Sequence, residues 1–477
     1  MKAVAAVDLG ATSGRVVVGY VGHDELRLRH VARFPNQPVR IHEGSSSALH
    51  WNILELHRSL MGGLASAFRE EPDIASIGVD SWAVDYALLR GGRLLGAPYH
   101  YRDERTAHGV ADVHARIDAE ELHRRNGLQH LPFTTLYQLA AERDVVALSD
   151  RALLVPDLIG YWLTGVAATE ITNASTTGLL DPRTRTWDEE LLVRLDFPRR
   201  ILAPLIEPGT RLGTLLPAVA DDLDAPRDLG VVAVGSHDTA SAVVAVPSAC
   251  DDVAYISSGT WSLVGLELEE PVITPASRAA NFTNEGGVDG RIRFLKNVSG
   301  LWLLSESIRT WERQSGESID LSALLAEAAG VRGRTTAFDA ADERFVAPGD
   351  IPGRIVEWCA EHDVAPPRTR AQFVRAILES LADAYATTLE QASALSGRRV
   401  DVVHVVGGGS QNELLCQVTA DRTGMTVLAG PVEATAIGNI LIQARSQGLI
   451  AGSLESLRSL VLRAYPPVRY QPRQPDR

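Results

Sequence analysis

The segment Asp8-Leu9-Gly10-Ala11-Thr12-Ser13-Gly14-Arg15 places a carboxylate, two hydroxyls, two glycines and a guanidinium within eight residues. Glycines allow a tight turn whose backbone N–H groups can approach phosphate oxygens, while Thr12 and Ser13 add hydroxyl donors and Arg15 a fixed cation. Asp8 ends an apolar run, where a carboxylate can hold a hydrated Mg²⁺. The segment is not a GxxxxGK[ST] phosphate loop, and an ordinary turn whose Asp and Ser satisfy backbone groups fits the same residues. Ser257-Ser258-Gly259-Thr260 repeats the layout in the second half of the chain. One such turn is weak evidence; two suggest a phosphate chain gripped from two sides. Gly407-Gly408-Gly409-Ser410 follows the apolar run VDVVHVV and opens a predicted helix, with Ser410 and Glu413 at the spacing of a capping box. Three missing Cβ atoms leave room for a flat ligand or a phosphate at a helix N-terminus.

His237-Asp238 follows the strand-like GVVAVG. An Asp just past the carboxyl end of a strand in an α/β domain lies where ligands bind, and it can take a proton from an attacking hydroxyl. The competing reading makes Asp238 the N-cap of a helix beginning at Thr239. Asp80-Ser81-Trp82, and His100-Tyr101-Arg102-Asp103-Glu104-Arg105-Thr106 downstream, mix aromatic faces with charged forks. Polyol recognition uses that mixture, and so do surface salt bridges over a core.

The elements that must position these groups read as follows. Residues 3–21 and 253–268 are two β-hairpins. Helical spacing runs through 53–71, and IASIGVD is a buried strand ending at Asp80. TLYQLAAERD and LIGYWLTG are helical stretches. GVVAVGSHDTASAVVAV begins as a strand, turns at Gly235–Asp238 and continues as a small-residue helix. The strongest helix spans 371–396, with Thr369 and Gln372 forming a capping box; the last clear helix covers roughly 433–447. Two hairpin turns, one per half, indicate a twofold domain plan, 1–245 and 246–477.

With 477 residues the chain is expected to hold two to four domains, two large ones being the simplest reading. Hydrophobic residues make up 45% and charged residues 22%, the balance of a globular protein. A net charge of −14 gives no basic excess for nucleic acid or an anionic membrane. Cys250, Cys359 and Cys416 show no CxxC spacing, which argues against a disulfide framework or a cysteine zinc site and suits the cytoplasm. The N-terminal MKAVAAVDLG reads as a first strand rather than a signal peptide, and no apolar run is long enough for a membrane span.

The hairpin DLGATSGR, then GVDSWAVDYALL, HYRDERT, LQHLPFTTLYQL, GSHDTASA, SSGTWSL, LKNVSGLWLL, VVGGGSQNELLCQ and GPVEATAIGN, resembles in order and spacing the FGGY carbohydrate kinases, from about residue 4 to 462. The HYRD and LPFTTLYQL segments resemble the branch acting on L-rhamnulose. The resemblance implies an actin/Hsp70/hexokinase-type (ribonuclease H-like) fold, two α/β domains around a central cleft. It implies phosphorylation of L-rhamnulose at O1 by ATP with Mg²⁺, on a monomer or homodimer. Carried over by position, it implies that Asp238 is the general base and that Asp80, Trp82, Ala83, His237 and Thr239 line the sugar. It places Ala11, Thr12, Ser13, Gly14, Arg15, Thr260, Asn297, Ser305 and Gly408 at the nucleotide, and Asp8 near the metal through water. Two positions depart from the pattern: Ala83 stands where that branch tends to have Gly, and Ser305 where it has a Gln contacting nucleotide. Rival readings are a kinase for L-fuculose or D-xylulose, and an actin/Hsp70-type protein whose shape is switched by nucleotide. A kinase-derived sugar sensor comes last.

Overall fold

The computed structural model describes residues 2–43, 46–248, 253–332 and 336–473; Cys250 lies outside the described residues. The chain forms two compact units. The first comprises residues 1–251, 267–294 and 433–465, the second 252–266, 295–432 and 466–477.

The first unit is built on a six-stranded sheet in the order Arg211–Thr214, Gly230–Val232, Ile74–Ser81, Lys2–Leu9, Ser13–Val21, Leu26–Pro35. Lys2–Leu9, Ile74–Ser81 and Gly230–Val232 run parallel; the other neighbours pair antiparallel. Parallel strands are covered on both faces, which is why VAAVDL and SIGVD read as continuous apolar runs rather than alternating ones. The expected helix is Ile53–Glu70, N-capped by Asn52, with Ile53, Leu56, Leu60, Leu64 and Phe68 buried. The last predicted helix is Ala434–Ser446, and it presses on Asp238–Val244 so closely that a Cβ on Gly438 would stand 1.8 Å from the Ser241 carbonyl oxygen. Small residues in HDTASA and ATAIGN therefore serve backbone-to-backbone packing. TLYQLAAERD divides into Thr135–Ala141 and Arg143–Leu148, while LIGYWLTG lies in Val155–Thr164.

The second unit carries the strands Ile292–Ser299, Trp261–Leu268, Ala254–Ser258, Val402–Val406, Thr426–Ala429 and Val468–Tyr470, neighbours in that order. Ala254–Ser258 and Trp261–Leu268 form the expected hairpin, and Val402–Val406 pairs parallel to the first of them. The long helix is Arg370–Ser396, opened by the expected Thr369/Gln372 capping box and closed by Gly397 at φ 70°. The second expected capping box is not formed. After Gly407, Gly408–Gln411 makes a 3₁₀ turn, and the helix proper is Glu413–Thr423 with Asn412 as its cap, accepting from Leu415 N at 3.0 Å. Ser410 instead donates its hydroxyl to the Gly407 carbonyl at 2.7 Å, because the positive φ of Gly407, 82°, delays the helix by one turn. Among the described residues no helix is long and apolar enough to cross a membrane, and Cys359 and Cys416 are buried free thiols.

Candidate active site

Three parallel strands bring three carboxylates to one edge of the first unit's sheet. Asp8 and Asp80 are register partners, and the bridge between Ser81 and His237 sets Asp238 beside them. Carboxyl ends of parallel strands are where α/β sheets bind ligands. Asp8 and Asp80 are buried, at 1% and 0% exposure, whereas the Asp238 side chain keeps 30%. Burial pushes the Asp8 carboxyl up to about 6; Arg15 pulls it down, and the charges of Asp238 and Glu433 push it further up. Asp80 is held well above the usual carboxylate range by burial and then by Asp8, against the hydrogen bond from Asn439.

Arg15 extends from the second strand between two carboxylates. Its Nε lies 2.8 Å from Asp8 Oδ2 and its Nη1 bonds Glu433. Thus the guanidinium expected at phosphate is already engaged on two sides by acids. The turn itself is tight: Gly10 N donates to Ser13 O at 3.0 Å, and Asn36 Nδ2 holds the Gly10 carbonyl at 2.9 Å. Thr12 is exposed; Ala11 and Ser13 are partly so. Gly14 faces inward, where a Cβ would stand 2.2 Å from the Phe34 ring, so packing fixes this glycine.

The backbone carrying Asp238 is held from below. Ser236 donates through N and Oγ to Glu170 Oε2, at 3.0 and 2.8 Å, and His237 N donates to Thr172 Oγ1 at 3.3 Å. His237 Nδ1 lies 2.9 Å from Nη2 of the fully buried Arg293. A guanidinium only donates, so Nδ1 accepts and the ring proton sits on Nε2, 3.4 Å from Asp238 Oδ1. Thr239 Oγ1 donates to the same oxygen at 3.1 Å. His237 and Thr239, expected at the sugar, therefore aim polar atoms at Asp238. The helix is Asp238–Val244, with Asp238 its first residue and not its cap, which leaves its second carboxylate oxygen uncommitted to the helix.

Asp80 closes a buried chain: Ser76 Oγ to Gln443 Oε1 (2.8 Å), Gln443 Nε2 to Asn439 Oδ1 (2.6 Å), Asn439 Nδ2 to Asp80 Oδ2 (2.5 Å). Asp80 Oδ1 is buried without a hydrogen-bond partner. Trp82 is buried with its indole N–H on Asp85, and Ala83 is partly exposed beside it.

The second unit holds Thr260, in the other hairpin turn, together with Asn297, Ser305 and Gly408. Leu301 N and Trp302 N donate to the carbonyls of Gly259 and Thr260, at 3.0 and 3.2 Å, which docks the start of the helix Trp302–Ser315 on the turn. Ser305 is exposed on that helix, and Asn297 lies half-buried on the strand Ile292–Ser299. The three glycines have three different reasons. Gly407 takes the positive φ, Gly409 lies against Ser258, where a Cβ would be 2.0 Å from Oγ, and a Cβ on Gly408 would meet nothing within 4 Å. Only Gly408 offers open backbone to a ligand.

Mg²⁺ suits these groups. Among the described residues no three His, Cys, Asp or Glu side chains converge as a ligand cage. Yet Asp8, Asp80 and Glu433 share one cation, Arg15, Asp238 adds its charge beside Asp8, and one Asp80 oxygen has no donor. An excess of carboxylates over cations with no cage fits a hydrated ion held through one or two carboxylates and substrate phosphates. Glu433, Arg293, Glu170, Asp85 and Asn439 had no role assigned from sequence. Glu433, Asp85 and Asn439 were marked only by lying inside the segments GPVEATAIGN and GVDSWAVDYALL, and Arg293 and Glu170 by nothing, since isolated polar residues in apolar surroundings do not announce their partners.

Two family models match the chain: the N-terminal domain of the FGGY family of carbohydrate kinases over residues 3–245 and its C-terminal domain over 254–447. A rhamnulokinase of Bacteroides thetaiotaomicron is 40% identical over 98% of this chain and 95% of its own length. One from Pectobacterium carotovorum is 41% identical over 99% and 94%. Among solved structures, a xylulose kinase from Lactobacillus acidophilus superposes with a TM-score of 0.78 at 17% identity, over 99% of this chain and 94% of that one. Plasmodium falciparum glycerol kinase with ADP gives 0.76 at 16% identity, over 99% of this chain and 94% of that one. The fold is thus the two-domain α/β fold of the sugar kinases, of the actin/hexokinase type. By both family models and by these relatives, the chain belongs to the FGGY family of carbohydrate kinases.

Proposed function

We propose that this chain transfers the γ-phosphoryl group of ATP to the 1-hydroxyl of L-rhamnulose, giving L-rhamnulose 1-phosphate and ADP in the cytoplasm, in the breakdown of L-rhamnose. The sugar is taken from the rhamnulokinase name of the relatives at about 40% identity. The single observation behind the chemistry is the unequal exposure of three clustered carboxylates: Asp238 alone reaches solvent, and its neighbours orient it.

Asp238 accepts the proton of the 1-hydroxyl as that oxygen bonds to phosphorus and the bond to the bridging β–γ oxygen breaks. His237 Nε2–H and Thr239 Oγ1–H steady one carboxylate oxygen, leaving the other to take the proton. Trp82 and Ala83 contribute the wall against the sugar, with Asp80 behind them. The family resemblance assigns Ala11 to Arg15 and Thr260 to the phosphate end of ATP, and Asn297, Ser305 and Gly408 to the rest of the nucleotide. Arg15 holds the negative cluster together while its remaining Nη2 is left for phosphate. Asp8 takes Mg²⁺ through water. An ion held there would supply positive charge against the phosphate oxygens.

ADP release from ATP·Mg²⁺ tests the reading, with no sugar and then with L-rhamnulose, L-fuculose, D-xylulose or glycerol separately. Turnover with L-rhamnulose alone is expected. Turnover with another ketose instead moves the substrate and makes Ala83 the first residue to change. Sugar-independent turnover overturns the kinase reading in favour of a nucleotide-switched protein.

A further inference from the structure

Asp85 is a fully buried carboxylate that the proposed chemistry does not use. Four donors from four segments converge on it. Trp51 Nε1 (2.5 Å), Trp82 Nε1 (3.1 Å) and the backbone N of Tyr101 (3.1 Å) reach Oδ2, and Gln138 Nε2 (2.8 Å) reaches Oδ1. Burial pushes its carboxyl up to about 6 in spite of these bonds. Leaving one carboxylate here is costly to solvation, so a hydrophobic core alone does not account for it.

The donors are themselves buried and, through Trp82 and the Val84 carbonyl, connect to the turn that carries Ala83. Trp51 packs on Trp82 and on His100, each with ring centroids 4.1 Å apart, and His100 stacks on Tyr101 at 4.5 Å. Gln138 also donates to the carbonyls of Phe133 (2.9 Å) and Val84 (3.4 Å), while its Oε1 takes Arg105 Nη2 (3.2 Å). Thr135 Oγ1 holds the Val84 carbonyl at 2.7 Å. Val84 itself sits at φ 66°, a left-handed conformation that a β-branched residue rarely adopts. Such a conformation persists where its surroundings over-determine it, and here the Thr135, Gln138 and Asp85 bonds do so. The segments carrying HYRDERT and LPFTTLYQL thus meet on one carboxylate beside the turn Trp82–Ala83–Val84.

We propose that Asp85 is a positioning residue for sugar recognition: through Trp82 and the strained Val84 turn, it fixes the wall at Ala83 that selects among ketoses. The inference rests on the sugar-kinase reading above. An amide at 85 offers one acceptor oxygen and one NH₂, so some of the four donors must face a donor. Hydrogen bonds to a charged group are worth enough that losing them shifts affinity by about tenfold or more.

The test is steady-state kinetics on Asp85→Asn, varying ketose and ATP separately. The KM for the preferred ketose should rise at least about tenfold, with the KM for ATP within about twofold and discrimination between ketoses reduced. If Asp85→Asn does not fold by circular dichroism, Gln138→Leu, which leaves the other three donors on Asp85, should show the same split. A folded variant with ketose KM and selectivity unchanged overturns the proposal. So does a fall in kcat with both KM values unchanged, which marks a structural role only. Absence of ketose-dependent turnover in the unsubstituted protein is a separate result: it overturns the sugar-kinase reading and this inference with it.

Discussion

The two hairpin turns look alike in sequence and differ in what surrounds them. The first is flanked by charge. Asp8 and Arg15 stand at either side of it, Glu433 completes the ion pairs, and Asp80 and Asp238 lie within electrostatic reach. The second is neutral: its carbonyls are taken by Leu301 N and Trp302 N, and Gly409 packs on Ser258 behind it. A charged turn beside a carboxylate cluster suits proton and metal chemistry. A neutral turn of amides and hydroxyls suits holding a ligand without changing its charge.

The largest expected effect breaks the first turn's side of this contrast. Asp238→Asn should lower kcat by about 100-fold or more while calorimetry still shows ATP and sugar binding. Near-normal turnover would remove Asp238 as the base. Next, Arg15→Met leaves Asp8 and Glu433 without their shared cation. Breaking a largely buried pair in this way should cost about 3 kcal/mol in urea unfolding, and double substitution with Glu433→Gln should recover part of it.

The second turn is tested by its glycines. Gly409→Ala drives a methyl into Ser258 Oγ and should destabilise by about 1–3 kcal/mol. Gly408→Ala meets open space and should unfold within about 0.5 kcal/mol of the parent, yet raise the KM for ATP. Equal behaviour of the two variants would erase the distinction between packing and ligand-facing glycines.

A smaller effect is pH dependence. Asp8 sits at about 6 in the folded chain and near 4 when unfolded, so between those values the folded state holds more protons. Its contribution to stability is present below about pH 4 and is lost as pH rises through about 6. Asp8→Asn should remove that slope from the stability profile between pH 4 and 6; an unchanged slope refutes the assignment. Least of all, Ser305→Gln adds a longer hydrogen-bonding side chain on an exposed helical position and should lower the KM for ATP by up to about fivefold, the worth of one neutral hydrogen bond.

Strand ends were legible because buried parallel strands are written as unbroken apolar runs, and a carboxylate ending such a run stands out, as Asp8 and Asp80 do. The capping box at Thr369 was legible because its partners are three residues apart. The one assigned to Ser410 failed for a tertiary reason: Gly407 takes a positive φ as the chain passes Ser258, so the helix starts later. Gly14 and Gly409 were read as making room for phosphate, and packing gives each a further reason, since a Cβ there would strike Phe34 or Ser258.

Sequence alone determined the family, through the order of its motifs, and the main hairpins, strand ends and long helices that carry the carboxylates and turns, through local spacing and apolar periodicity. Tertiary structure alone decided which carboxylate is exposed, that Arg15 is engaged by Asp8 and Glu433, and that Asp85 gathers four donors. Those facts depend on contacts between residues up to hundreds of positions apart, and no local pattern encodes which buried polar groups will meet.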